Sequence, residues 1–525
     1  MRQGRNRTSN GMSKTYKGIA IFGTPASGKT AISLKLEKRL PGSKHLEVFD
    51  ELIEPTLRKS PHIKGESVRE RARQVFGYLK NKYGQSAIGK LVTGIHKRKY
   101  KKQFIIISGI RGLENAQYLK REGYLIVFLS VPASAGVKRL MEREGYSKDA
   151  AVKDYKEEET IYKTSKVKSI ADLILDTSGK DPMRPAAALL RFLGKYECKK
   201  CVNNIENPVI SIDKDGLCQT CALYKSKFNP KVFRKELKFF KAFANRRGKY
   251  NAMVGISGGK DSTAVLYRMV KFGFRPLAFT FDTGYYSDHI FSRSAEMAEN
   301  LGVSHERIDI RTYVRKIDRI SYRKTAELYD LPYSDKLQAR FRGLYEEGRE
   351  HYSVKCGHSI PFVRTCQLCR RVVIRAYYGE AVKRGINLVV LGINEWTGLS
   401  RNNFTAIRKL KPFKNKPAVY IVHLPFLIQA KIGDTQKILR KIGWKEPRGE
   451  LLIESNANSC LFARAAENKA RKLLGFHPDS TRLGREVTAS FISKEQALKA
   501  LRKRHGYSYS VREVLEKAGV TIALP

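Results

Sequence analysis

Twice along the chain a short apolar run stops at a glycine-rich turn, and the turn opens at once into a helical stretch. The first is GIAIFG at 18–23, followed by Thr24-Pro-Ala-Ser-Gly28-Lys29-Thr30 and AISLKLEKRL. The second is NAMVGI at 251–256, followed by Ser257-Gly258-Gly259-Lys260-Asp261-Ser262 and TAVLYRMVKFG. A strand with no polar face must be covered on both sides, which is the condition of a parallel sheet with crossover helices. QFIIISGI and YLIVFLSVP extend the first region in the same manner, and PLAFTFD, HERIDI and NLVVLGI extend the second. The fold class expected is therefore α/β, with two separate parallel-sheet domains, a small cysteine module between them and a helical C-terminal region.

The boundaries follow from composition. Residues 1–17, MRQGRNRTSNGMSKTYK, are basic and polar and lack the apolar stretch of a signal peptide. They read as a disordered tail, with Met12 as an alternative start. The first α/β domain spans 18–178. SGKDPMRP opens a linker over 179–195, the cysteine module spans 196–226, the second α/β domain 227–430, and the helical region 431–525. No uninterrupted apolar run approaches the ~18 residues of a membrane span, so a cytoplasmic protein is expected. The chain has 101 Lys and Arg against 50 Asp and Glu, a net charge of +51. Such an excess favours phosphate backbones through counterion release and points to a nucleic acid partner. No amphipathic Lys-rich helix with Trp or Phe anchors stands out, so a membrane surface is not expected.

The first loop fits G-x-x-x-x-G-K-[ST] at Gly23, Gly28, Lys29 and Thr30. Glycines let backbone N–H groups curl around phosphate, the helix N-terminus adds its positive end, Lys29 reaches the β- and γ-phosphates, and Thr30 meets Mg²⁺. This Walker A region resembles the small P-loop kinases, most closely dephospho-CoA kinase-like proteins of the archaeal type, through IIISGIRGLENAQYLKREGYLIVFLSVP and ADLILDTSG. The resemblance implies ATP binding, with Arg111 as a phosphate clamp. It also implies an Asp before Gly-Ile-Arg, where this chain has Ser108. Asp50 is the candidate for the missing acid. With Ser108 in that place, nucleotide binding with poor turnover is expected.

Cys198-Lys-Lys-Cys201 and Cys218-Gln-Thr-Cys221, separated by sixteen residues, have the spacing of two zinc knuckles, with Asp215-Gly216 as a turn between them. A structural Zn²⁺ site is expected; the alternative is a redox dithiol.

The second loop resembles the PP-loop of N-type ATP pyrophosphatases. The resemblance implies that the amides of Gly258 and Gly259 hold pyrophosphate, that Lys260 adds charge and that Asp261 binds Mg²⁺, with Ser257 and Ser262 completing the loop. ATP is then attacked at the α-phosphate by a carbonyl oxygen, which becomes a good leaving group. PLAFTFDTG would carry adenine on its backbone, with Asp282 at the strand's carboxyl end. Two relatives compete. The tRNA thiolases have a PP-loop, then C-x-x-C and a later Cys, here Cys366, Cys369 and Cys460. The N-acetyl sugar amidotransferases have a PP-loop after a zinc module phrased like CKKCVNNIENPVISIDKDGLCQTC. The Gly-His-x-x-Asp-like loop of the thiolases is replaced by Gly392-Ile393-Asn394-Glu395.

The function expected is adenylation with pyrophosphate release and then sulfur transfer to tRNA, served by a sulfur donor. The alternatives are an adenylating amidotransferase with a glutaminase partner, and a non-catalytic RNA-binding scaffold. Cys366, Cys369 and Cys460 are expected to hold a [4Fe–4S] cluster. The rival is a second zinc site completed by Cys356 or His358 in CGHSIPFVRTCQLC.

Overall fold

The computed structural model describes residues 16–60, 63, 68–179, 181–351, 359–400, 403–411, 415–446, 451–507 and 509–521. Residues 1–15, Cys356 and His358 lie outside the described residues. The chain divides into two compact units, Met1–Tyr196 with Ser211–Lys214, and Glu197–Ile210 with Asp215–Pro525.

In the first unit, β1 (Gly18–Gly23), β2 (Ser43–Glu47), β3 (Phe104–Ser108), β4 (Tyr124–Ser130) and β5 (Leu173–Asp176) form a parallel sheet in the order β2-β3-β1-β4-β5. All six residues of β1 are buried, as a central strand covered on both faces requires. The edge strands β2 and β5 carry one buried residue each, Leu46 and Leu175, so neither shows an apolar run. Residues 179–195 are not the expected linker. They hold the helix Met183–Phe192, which buries Met183, Ala186, Leu189 and Leu190 against β5 and the helix Lys29–Arg39.

The second unit has β6 (Ala252–Gly255), β7 (Pro276–Asp282), β8 (His305–Asp309), β9 (Leu388–Leu391), β10 (Gly398–Ser400), β11 (Asn403–Thr405), β12 (Ile407–Leu410) and β13 (Val419–His423). Six of them form a sheet ordered β12-β13-β9-β6-β7-β8, and β10 pairs with β11 apart from it. This sheet is mixed, not wholly parallel as expected, because β12 runs antiparallel to β13. The residues between those two strands, 411–418, are too few for a crossover, so the chain turns back on itself. Strand order reverses at β6, and a crevice opens at the carboxyl ends there.

Each face of this sheet is covered. One core joins β6, β9 and β13 to the helices Lys260–Lys271 and Pro230–Lys241 through Phe233, Phe240, Leu266 and Val422. Pro230–Lys241 is an amphipathic Lys-rich helix with phenylalanines, which the sequence reading passed over. Phe233 and Phe240 are buried in this core, which leaves Phe239 alone facing solvent. The other core takes in the C-terminal helices. Phe462, Leu473 and Leu474 of Leu461–Leu474 and Leu515 of Val511–Lys517 pack with Phe279, Tyr322 and Phe341. The helical stretch after 431 is thus part of the second unit's core.

Candidate active site

The turn after β6 is locked by its own side chains. The Ser257 amide donates to Ser262 Oγ at 3.1 Å, and Ser262 Oγ donates to the Gly259 carbonyl at 3.1 Å. Gly258 has φ +64, and a Cβ there would lie 2.9 Å from Arg293, so only glycine fits. The Gly258 carbonyl accepts from Trp444 Nε1 at 3.0 Å. Gly392 abuts the start of the helix from the other side, where a Cβ would lie 2.8 Å from the Ser262 amide. Lys260 pairs with Asp261 Oδ2, while Asp261 Oδ1 is buried without a hydrogen-bond partner. A buried carboxylate oxygen with an open lone pair suits a hard cation such as Mg²⁺.

This turn floors a cavity of about 490 Å³ lined by Lys260, Asp261, Phe279, Thr280, Tyr286, Trp444, Asn456 and Arg482 among others. Phe279–Phe281 of β7 reach it, but Asp282 does not line it. Asp282 instead accepts from Arg307 Nη2 at 2.6 Å and from the Gly284 amide at 2.8 Å, which makes it a structural brace for the strand end. Glu395 is also engaged, paired with Arg485, and its carbonyl faces His423 Nδ1 at 2.8 Å. Burial pushes the His423 pKa down to about 4.

Cys366, Cys369 and Cys460 line an adjoining cavity of about 300 Å³, which shares Tyr286, Tyr377, Asn456 and Ser459 with the first. Cys366 and Cys369 stand three apart in the first turns of the helix Thr365–Lys383. Cys460 caps the helix Leu461–Leu474, its sulfur accepting from the Ala463 amide at 3.4 Å, and an isolated bridge ties it to Tyr286. Asn456 Nδ2 donates to Cys366 Sγ at 3.1 Å. Cys366 opens to the cavity, yet the protein packed around it pushes its thiol pKa up to about 12; burial raises Cys369 and Cys460 likewise. A bound cation would relieve that penalty. The three sulfurs are not among the described sets whose ligand atoms all lie within 4.8 Å of one another, the spacing a single ion demands.

The other four cysteines do form such a set. Cys198, Cys201, Cys218 and Cys221 are all buried, and Cys201 and Cys218 sulfurs lie 3.6 Å apart. Thiolates at 2.3 Å around a tetrahedral zinc sit about 3.8 Å apart. The Cys201 and Cys218 amides point at Cys198 Sγ at 3.5 and 3.3 Å, an arrangement that favours thiolate. The residues fit Zn²⁺.

In the first unit, Lys29 Nζ folds back on the Gly23 and Thr24 carbonyls at 2.9 and 3.0 Å, and burial lowers its pKa to about 8. Gly28 holds φ +86. Arg111 Nε donates to the buried Glu158 at 2.6 Å. Asp50 is exposed. The acid that stands beside the loop is Glu47: it ends β2, accepts from Thr30 Oγ1 at 3.0 Å and from Ser108 Oγ, and lies where any side chain at Gly109 would stand. Sequence reading missed it because its partners come from a helix and a neighbouring strand, both distant in sequence.

A buried polar cluster supports the loop carrying Glu454 and Ser455. His505 Nδ1 lies 3.1 Å from Glu467 and its Nε2 3.5 Å from Glu454. Glu454 and Glu467 raise the His505 pKa to about 9. A histidine whose folded pKa is raised stabilises fully below its unfolded value near 6.5 and loses that contribution as pH rises through about 9. His505→Gln should therefore lower Tm at pH 6, by on the order of 1–3 kcal/mol of stability, and change it little at pH 10. Thermal melts of both proteins across that range check it; an equal gap at both ends would refute the charge pairing.

Residues 232–354 match the NAD synthase family. No curated protein matches the chain. Among solved structures, shikimate kinase from Bacteroides thetaiotaomicron is 15% identical over 33% of this chain and 96% of its own, with TM-score 0.23. Shikimate kinase from Acinetobacter baumannii is 14% identical over 34% and 94%, with TM-score 0.23. The reading of the first unit rests on its own sheet and loop. Among the described residues no helix is long and apolar enough to cross a membrane.

Proposed function

We propose that the second unit, which is similar to the NAD synthase family over residues 232–354 and so implies ATP-dependent adenylation, activates a carbonyl oxygen of an RNA base, in tRNA, and that sulfur then displaces AMP. The base oxygen bonds to the α-phosphorus as the bond to pyrophosphate breaks. Asp261 would hold Mg²⁺ on the leaving group and Lys260 would neutralise it. Hydrosulfide from a sulfur donor next bonds to the base carbon and gives up its proton, the carbon–oxygen bond breaks, and AMP departs with that oxygen.

The observation that supports sulfur over ammonia is the meeting of Cys366, Cys369 and Cys460 in one cavity that opens onto the ATP cavity. Their grouping in one cavity suits a [4Fe–4S] cluster, which when bound would supply an open iron for sulfur. A net charge of +51 suits an RNA substrate. The cysteine module's phrasing supports the amidotransferase as the second reading. Mass spectrometry of tRNA nucleosides from a deletion strain tests the proposal. One thionucleoside should vanish and return with the wild-type gene but not with Cys460→Ala. An unchanged nucleoside profile, with AMP formed only when an N-acetyl sugar and ammonia are supplied, would favour the amidotransferase.

A further inference from the structure

Arg482 stands in the helix Ser480–Thr488 and lines both the ATP cavity and a neighbouring one of about 270 Å³ that also holds Cys366. Its guanidinium is held by three groups: Nη2 donates to the Glu454 carbonyl at 2.7 Å and lies 3.6 Å from Asp479 Oδ2, and Nη1 pairs with Glu486. Its Nε is buried and has no partner. An arginine held this way, with N–H groups to spare and a place in the cavity wall, is prepared for an anion. The cavity needs one. Lys260 is shared with Asp261, and the charge that builds on the pyrophosphate as its bond to the α-phosphorus breaks is more than one lysine meets.

The opposite face of the same helix is clamped. Thr488 Oγ1 lies 3.0 Å from Cys221 Sγ. Gly484 lets the helix approach Asn203, whose side chain would lie 2.9 Å from a Cβ there, and Asn203 Nδ2 donates to Cys218 Sγ at 3.4 Å. At 3.6 residues per turn, positions 484 and 488 point about 200–240° away from 482. The helix therefore has one side on the cysteine module and the other at the nucleotide.

We infer that Arg482 binds the phosphate chain of ATP in the second unit, and that the four-cysteine module holds it there through Thr488 and Gly484. The inference rests on the adenylation reading of that cavity. It gives the cysteine module a share in substrate binding although none of its residues lines the cavity.

The test uses the full chain carrying Lys29→Ala, so that the first loop is silent. Titration calorimetry with Mg²⁺ measures ATP, pyrophosphate and adenosine. Adding Arg482→Ala should weaken ATP and pyrophosphate at least about 10-fold and leave adenosine unchanged, since a charge-assisted hydrogen bond is lost and the base pocket is not. Arg482→Lys should recover part of the loss. Thr488→Val should weaken ATP several-fold with the zinc content per chain unchanged. Equal ATP affinity with and without Arg482 would overturn the first half. A parallel loss for adenosine would overturn it too, by marking Arg482 as merely structural. Unaltered ATP affinity in Thr488→Val would overturn the second half. If the Lys29→Ala chain bound no ATP at all, the adenylation reading would fall and the inference with it.

Discussion

Asp261→Ala should abolish AMP and pyrophosphate formation by the full chain. The carboxylate leaves one buried oxygen without a partner and gives the other to Lys260, so its removal deprives the leaving group of a metal ligand and frees the lysine to wander. A metal clamp on a departing phosphate is worth several kcal/mol, so the fall should be about 10³-fold or more. ATP–pyrophosphate exchange, or release of labelled AMP with tRNA present, measures it. Formation of ADP alone, lost with Lys29→Ala and untouched by Asp261→Ala, would show that the second loop does no chemistry.

The second large effect is expected in the first unit. Glu47 sits beside Thr30 Oγ1 and Ser108 Oγ, in the position where a divalent ion would bridge the loop threonine to a carboxylate. In a chain silenced by Asp261→Ala, Mg²⁺ should tighten ATP binding at Lys29 by roughly 10- to 100-fold, and Glu47→Gln should remove most of that gain. Calorimetry with and without Mg²⁺ reads it directly. If Glu47→Gln left the Mg²⁺ dependence intact, the ion would be held elsewhere. The substitution of Ser108 for an acid thus takes on a different meaning: Ser108 becomes a hydrogen-bond donor to the acid, which has moved one strand over.

What could be read from the sequence was local. The two loops, the central strands beside them and the cysteine knuckles each combine residue type and spacing within a single short segment, and each lies where those segments implied. What could not be read was assembled across segments. Glu47 sits at the end of an edge strand whose one buried residue gives no period to detect. Asp282 was assigned to the nucleotide from its place at a strand end, but Arg307 on β8 had a stronger claim to its carboxylate. Arg482 follows Asp261 by most of a domain, and no spacing links them. The helix Met183–Phe192 was hidden by Asp181, Pro182 and Pro185, read as linker although Pro182 and Asp181 start the helix. The C-terminal helices look polar in bulk, yet each turns a narrow apolar stripe to the core.

The bridge between Tyr286 and Cys460 spans most of the second unit in sequence. During synthesis, the PP-loop and its strands leave the ribosome long before Cys460, Arg482 and the helix that carries it. A nascent chain therefore holds its glycine-rich loop well before it holds the groups that close the cavity over it. Its thiols at 366 and 369 must wait for the third, and its floor of backbone amides must wait for the guanidinium. A product truncated before Cys460 would lack both the third thiol and the helices Leu461–Leu474 and Val511–Lys517, which complete one of the two cores over the sheet.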